Sequence, residues 1–361
     1  KLQEKSAGVV TSGDTSKDVL DCIARVERND VTMTILQLNS KHIDKVPMER
    51  LCNGIVGNIN LSRLILSDNN LGPEGTRAIA EALSSGGTAL RQLILRENNV
   101  GAEGTQYIAE MIRTNTTLRQ LGLSRNGIGA EGARNITISL SATTTLQELS
   151  ISFNGIGEAG AKYIAEGLKV KSSLKFLSLR QNNIGAAGAQ HIMGSLSSNV
   201  TLRRLVLSNN DLRCDGAHHI AEALKTNTTL HLLELGYNCI GNDGGKYLAK
   251  ALLVNNTLQQ LDLCNNIIVG AEGGQHFVKA LKVNNTLHEI SLENNGFSRE
   301  LEGRISKMAR INSLKQEHEE RIKREGLSFF LVFEDNASSF EMTCSDEDKH
   351  ARFGNEGEIN V

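Results

Sequence analysis

The template L-x-x-L-x-L-x-x-N starts at Met33, Leu61, Leu90, Leu118, Leu146, Leu174, Leu202, Leu230, Leu258 and Leu287. The interval is 28 residues, lengthening to 29 only from Leu61 to Leu90 and from Leu258 to Leu287, the second extra residue falling after Asn266. No other feature constrains the fold so tightly. A chain of 361 residues would ordinarily divide into two or three domains. Stacked copies of one unit instead form a single continuous body whatever their number.

Each unit opens with alternating apolar residues, as in Leu118, Leu121 and Leu123, which suits a short strand with one buried face. A glycine-bearing turn follows, then apolar residues at helical spacing, as in Ile108, Ala109 and Ile112. Neither element can bury its apolar side alone, so the units must stack. Strands then align in parallel about 4.8 Å apart, and the bulkier helices take the outside of the curve. The expected fold class is α/β, a horseshoe solenoid with a parallel β-sheet on the concave face and α-helices on the convex face.

Polar positions within the repeat have structural readings. Gly75, Gly104, Gly132, Gly160, Gly188, Gly216, Gly244 and Gly273 stand where each helix begins, where a side chain would obstruct close approach or demand a costly dihedral. The template asparagines (Asn69, Asn98, Asn126, Asn154, Asn182, Asn210, Asn238, Asn266 and Asn295, with Lys41 in the first unit) can bond backbone groups of their own and the adjacent unit. A second asparagine before the next strand, as in "TNTT" and "VNNT", suits a helix end that needs a left-handed residue. Asn115-Thr116-Thr117 and Asn227-Thr228-Thr229 match the glycosylation sequon but recur at one phase, as repeat grammar does.

The string L-x-x-L-x-L-x-x-N-x-I-G-x-E-G-A-x-x-I-A-x-x-L at this period resembles the ribonuclease-inhibitor-like class of leucine-rich repeats. "NTTLRQLGLSRNGIGAEGARNI" and "NTTLHLLELGYNCIGNDGGKYLAKAL" are similar to the C-terminal repeats of NOD-like receptors. The resemblance implies ten leucine-rich repeats over residues 32–297. It implies a fold and leaves the partner open, because members of the class bind many different proteins.

The ends are expected to cap the stack. Residues 1–31 form an N-terminal segment whose helix carries Val19, Leu20, Ile23 and Val26 on one face, after start signals at Asp14–Ser16. Residues 298–333 place Leu301, Ile305, Met308 and Ile311 at helical spacing, then the apolar "LSFFLVF", read as packing on the last repeat with a docking segment as its rival. Residues 334–361 are mildly acidic and read as a disordered tail. The chain opens on Lys1 rather than Met, which points to a start further upstream.

With 39 basic and 41 acidic residues and no Trp, nucleic-acid binding is not expected. No run is long and apolar enough to cross a membrane. Six scattered cysteines without a CxxC pair read as reduced thiols of a cytoplasmic protein. There is no P-loop, HExxH or nucleophile elbow, and Cys214 with His218 and His219 is too small a ligand set for zinc. No catalytic residue, cofactor or metal is therefore assigned.

What varies between units is the outward side of the strands. Arg96, Arg125, Arg180 and Arg204, with Glu97 and Glu148 interspersed, are joined by the aromatics Phe153, Phe176 and Tyr237 and the aliphatics Ile65, Ile94 and Val206. The last three units instead supply Glu234, Asp262, Glu289 and Glu293, with no Lys or Arg at matching places. The hollow is expected to be basic and aromatic in its middle and acidic toward its C-terminal end. Arginine and aromatic side chains commonly anchor interfaces. The expected function is a noncatalytic module, an adaptor, an inhibitor or the sensing part of a receptor, that binds a protein or peptide on the concave face. The alternative is a GTPase-activating regulator similar to that for Ran, from which the uniform repeats and the mildness of the acidic tail depart.

Overall fold

The leucines of the template all turn inward, and the rest of the architecture follows from burying them. The computed structural model describes residues 16–140, 145–169, 173–325, 329–331 and 342–344. Each unit contributes one three-residue strand: β1 (Ile35–Gln37), β2 (Arg63–Ile65), β3 (Gln92–Ile94), β4 (Gln120–Gly122), β5 (Glu148–Ser150), β6 (Phe176–Ser178), β7 (Arg204–Val206), β8 (Leu232–Glu234), β9 (Gln260–Asp262) and β10 (Glu289–Ser291). They form one ten-stranded parallel sheet in sequential order. Leu121 pairs with Leu93 on one side and Leu149 on the other, and this buried leucine row continues from Leu36 to Ile290. The longer units keep register, pairing Leu64 with Leu93 and Leu261 with Ile290. Their extra residues are absorbed outside the sheet. One lies in the left-handed Gly86–Gly87 turn (φ 80° and 74°). The other makes Val269 extended (φ −105°, ψ 154°), where Ile240 is helical (φ −62°, ψ −35°).

Between the strands run α1 (Ser16–Glu27), α2 (Lys45–Ile55), α3 (Gly72–Ser84), α4 (Gly101–Thr114), α5 (Gly129–Leu140), α6 (Gly157–Lys169), α7 (Gly185–Ser195), α8 (Arg213–Leu224), α9 (Gly241–Leu252) and α10 (Gly270–Leu281), with α11 (Arg299–Glu325) after the last strand. In α4, Ile108, Met111 and Ile112 make the buried stripe, while Glu103 in the first turn and Arg113 in the last oppose the helix dipole. Gly104 is needed for space rather than dihedral freedom. A Cβ there would lie 2.7 Å from Val100 Cγ1 and 3.5 Å from the Pro73 backbone of α3. The left-handed requirement falls three residues earlier, on Gly101 at φ 62°. In α8 that position is Arg213 (φ 55°), held by two bonds to Asp211 at 2.9 and 2.7 Å.

Two asparagine ladders stitch the units together. In the first, Asn126 Nδ2 donates to the Leu95 carbonyl (2.8 Å), while its Oδ1 accepts from the Asn98 amide (2.8 Å). The Asn126 amide in turn donates to Asn154 Oδ1 (2.7 Å). The same scheme runs from the Lys41 amide on Asn69 Oδ1 to the Asn266 amide on Asn295 Oδ1. The second ladder corrects the helix-end expectation. Asn115 is extended (φ −76°, ψ 129°), not left-handed. Its Nδ2 donates to the Leu83 carbonyl (2.9 Å), and its Oδ1 accepts the amides of Thr117 (2.9 Å) and Leu118 (2.7 Å). Asn199, Asn227, Asn255 and Asn284 make the same Nδ2 bond to the preceding unit in later repeats. Asn115 and Asn227, the sequon asparagines, are buried in these bonds.

At the ends, Val19, Ile23 and Val26 of α1 are buried, whereas Leu20 is 38% exposed and lies off the packed face. In α11 Ile305 and Ala309 are buried, and Asn312 closes the second ladder on the Asn284 and Leu287 carbonyls. Two further strands, β11 (Phe329–Leu331) and β12 (Met342–Cys344), pair antiparallel. Apart from β12, the acidic tail lies outside the described residues, as do residues 1–15.

Candidate functional site

Each unit presents four outward positions on the strand side: the first and third strand residues, then the second and third residues after the strand. The last of these has left-handed backbone in every unit. It is Ser40, Asp68, Glu97, Arg125, Phe153, Gln181, Asn209, Tyr237, Asn265 and Asn294, with φ from 52° to 59°. The turn requires this because the amide there continues the ladder to the next unit, as from Arg125 to the Ser152 carbonyl (3.0 Å) and from Phe153 to the Arg180 carbonyl (2.8 Å). At the same time the following asparagine must swing inward. Asparagine and aspartate tolerate this conformation; an aromatic residue does so at a cost of about 1–2 kcal/mol.

The structure gathers the basic and aromatic candidates into two clusters. In the first, the Arg125 guanidinium lies 4.3 Å from the Phe153 ring centre, and that of Arg180 lies 5.9 Å away. Arg125 Nε also reaches Glu97 Oε1 at 3.2 Å, and Arg96 meets the same oxygen at 3.0 Å. In the second, Arg204 stacks on Phe176 at 4.7 Å and bonds Glu148 Oε1 at 2.8 Å. Gln120 Nε2 donates to the other Glu148 oxygen at 2.9 Å. Arg180 forms no ion pair among the described residues.

Between the rows of long side chains the floor is small. Gly122, Ser152, Ser178, Ser208 and Gly236 are buried although they face outward. Ser124 bonds Ser150 (3.0 Å) and Ser152 bonds Ser178 (2.8 Å), which closes their hydroxyls on one another. Val206 belongs to this floor. At 6% exposure it is not the aliphatic contact expected of it, whereas Ile65 and Ile94 are half-buried.

Glu234, Asp262 and Glu289 converge with Gln260 and Ser291 around a shallow depression of about 360 Å³. Burial pushes the Glu234 carboxyl above its ordinary value; the Asp262 charge adds to the rise and Arg180 opposes it. Cys264 Sγ donates to Asp262 Oδ2 at 3.6 Å, and its thiol is raised chiefly by burial. Tyr237 stands 51% exposed, and Glu293 is exposed. No hydrogen bond or ion pair joins the side chain of either to the other candidates among the described residues.

Sequence reasoning missed a basic rim at the strand entrances: Arg91, Arg119, Lys175 and Arg203. Reading by column rather than by charge would have found it. Arg119 and Arg203 also staple their units by donating to the Thr145 and Thr229 carbonyls at 3.2 and 3.1 Å. On the helix side, His218 packs edge-on against Tyr247 at 4.8 Å. No group of three or more His, Cys, Asp or Glu among the described residues is placed to hold a metal. No helix among them is long and apolar enough to cross a membrane.

A family model described as Leucine Rich repeat matches residues 57–80, 114–136, 143–165, 170–193 and 226–249. Comparison with curated proteins gives no match. Among solved structures, the leucine-rich repeat-containing protein LegL7 from Legionella pneumophila is 17% identical, with 85% of this chain and 97% of that one covered at a TM-score of 0.55. TLR13 in its complex with ssRNA13 is 18% identical over 77% of this chain and 35% of that one, at 0.43. Leiomodin-1 actin-binding site 2 is 21% identical over 46% and 97%, at 0.38. The repeat motif in five segments and a parallel sheet stacked in sequence order lead to one conclusion: the chain folds as a leucine-rich-repeat solenoid.

Proposed function

We propose that this chain is a noncatalytic interaction module that binds a protein or peptide across the strand face, centred on Arg125, Phe153, Phe176, Arg180 and Arg204. The observation that carries this reading is Phe153. A bulky ring occupies a left-handed position, on an outward face, between two guanidinium groups. Nothing in the packing of the units asks for a ring there, since Asn209 and Asn265 fill the same position. Backbone strain retained against local preference marks a site used for something other than stability. Arg96 belongs to the same surface, as do Glu234, Tyr237, Asp262, Glu289 and Glu293 toward its C-terminal end.

The 28-residue period with a helix of 11 to 14 residues in units two to nine supports the ribonuclease-inhibitor-like class. The kinship with NOD-like receptor repeats rests on the quoted strings. Among the described residues, Cys52, Cys214, Cys239 and Cys264 form no disulfide, which agrees with a reducing, cytoplasmic setting. The geometry adds nothing to the GTPase-activating alternative.

The test compares proteins captured from cell extract by the wild type and by a variant with Arg125, Phe153, Phe176 and Arg180 replaced by Ala. Loss of specific partners by a variant that still melts cooperatively is the expected result. An unchanged set of partners refutes the reading.

A further inference from the structure

Positive charge gathers on the middle of the strand face. Counting the rim residue with the four outward positions of each unit, units three to seven present eight Lys or Arg against two carboxylates. The same places in units eight to ten hold four carboxylates and no Lys or Arg, and the chain as a whole is net −2. The excess therefore belongs to this patch and is not a property of the surface at large. Inside it, Glu97 serves Arg96 and Arg125, and Glu148 serves Arg204. Arg91, Arg119, Lys175, Arg180 and Arg203 make no ion pair among the described residues. Arg119 and Arg203 are held in place before any partner arrives, by their bonds to the Thr145 and Thr229 carbonyls.

The surroundings choose between anions. A nucleic acid brings bases to stack, but Arg125 lies over the Phe153 ring and Arg204 over the Phe176 ring, where a base would lie. A strand charged along its whole length would also run onto Glu234, Asp262 and Glu289 as it left the patch. Carboxylates on a short stretch of polypeptide meet neither obstacle, and the planar fork of arginine matches them.

We propose that the partner docks an acidic segment, extended chain carrying several Glu or Asp, across units three to seven. This rests on the strand-face reading above and specifies the partner's chemistry. Four strand spacings, about 19 Å at about 4.8 Å each, are covered by about six extended residues at about 3.3 Å each.

A random dodecapeptide display library selected on the full chain is therefore long enough to test it. The wild type should enrich peptides rich in Glu and Asp, and their binding should weaken as salt rises. Arg91→Glu with Lys175→Glu, both exposed in the folded chain, should weaken a selected peptide at least about tenfold, with circular dichroism confirming the fold. Enriched peptides without acidic residues, or acidic ones indifferent to this double reversal, overturn this inference alone if they lose binding on Phe153→Asn. Peptides indifferent to every strand-face substitution, or no enrichment at all, overturn the strand-face reading with it. So does an oligouridylate that binds more tightly than the selected peptides and is lost on the double reversal, since the partner is then nucleic acid. Self-association in sedimentation that the reversal abolishes would put a second copy on the patch. A synthetic peptide of residues 334–361 that outcompetes the selected ones would put this chain's own acidic end there; either result overturns the separate acidic partner.

Discussion

Phe153 and Asn126 are neighbours in space with opposite duties, and their substitutions should separate cleanly. Position 153 is left-handed at φ 59°, a region asparagine enters far more readily than alanine. Both Phe153→Asn and Phe153→Ala lose the ring and its two guanidinium contacts. Urea denaturation should therefore find the Asn variant more stable than the Ala variant by about 1 kcal/mol, with both deficient in binding. Equal stabilities would mean that the turn does not impose the conformation. Asn126 is the reverse case. Truncating it to Ala leaves the Leu95 carbonyl and the Asn98 amide without their partner inside the stack. A cost of about 1–3 kcal/mol follows, with strand-face affinity intact in the folded fraction. A fully stable Asn126→Ala protein that fails to bind would contradict that division of labour.

At the level of elements, α1 closes one end of the stack. Besides its buried face, its attachment uses two carboxylates, Glu27 and Asp30. Glu27 is held below its ordinary value chiefly by the hydrogen bond from Arg50 (2.6 Å). Asp30 is held well below its own by bonds from Thr32 first and Arg25 second. Both folded values lie under the unfolded ones, so the stabilisation is present above the ordinary values of 3.8 and 4.5 and fades as pH falls through the folded ones. Asp30→Asn should thus lower Tm at pH 7, and the gap should close on acidification; a gap constant down to pH 3 would rule out the linkage. Cys52 reports opening of the core between the second and third helices. Its thiol is pushed up to about 12, chiefly by burial, whereas Cys239 is exposed. A thiol reagent should label Cys239 first and Cys52 only slowly; equal rates would mean that the core opens readily there. Strands and helices were legible from periodicity because apolar spacing alone decides which face is buried. The left-handed column was not, because Arg125, Phe153 and Tyr237 hide a preference that Asp68, Asn209, Asn265 and Asn294 display. The second asparagine ladder was misread because an asparagine at a helix end suits a left-handed cap and an inter-unit bridge equally well. Only the φ of Asn115 decides between them.

For the whole molecule, stability should behave as a sum of units and the joints between them, and a deletion can test the stack. Removing residues 202–229 joins Thr201 to Leu230 and excises one 28-residue period. Asn182, whose amide now donates to Asn210 Oδ1 at 2.8 Å, then faces Asn238, which serves Asn210 in the same way at 2.7 Å. Every joint is remade in kind, so the shortened chain should fold cooperatively with its urea m-value lower by about a tenth. Removing residues 202–215 instead would set helix sequence against strand sequence and break both ladders; that chain should fail to fold.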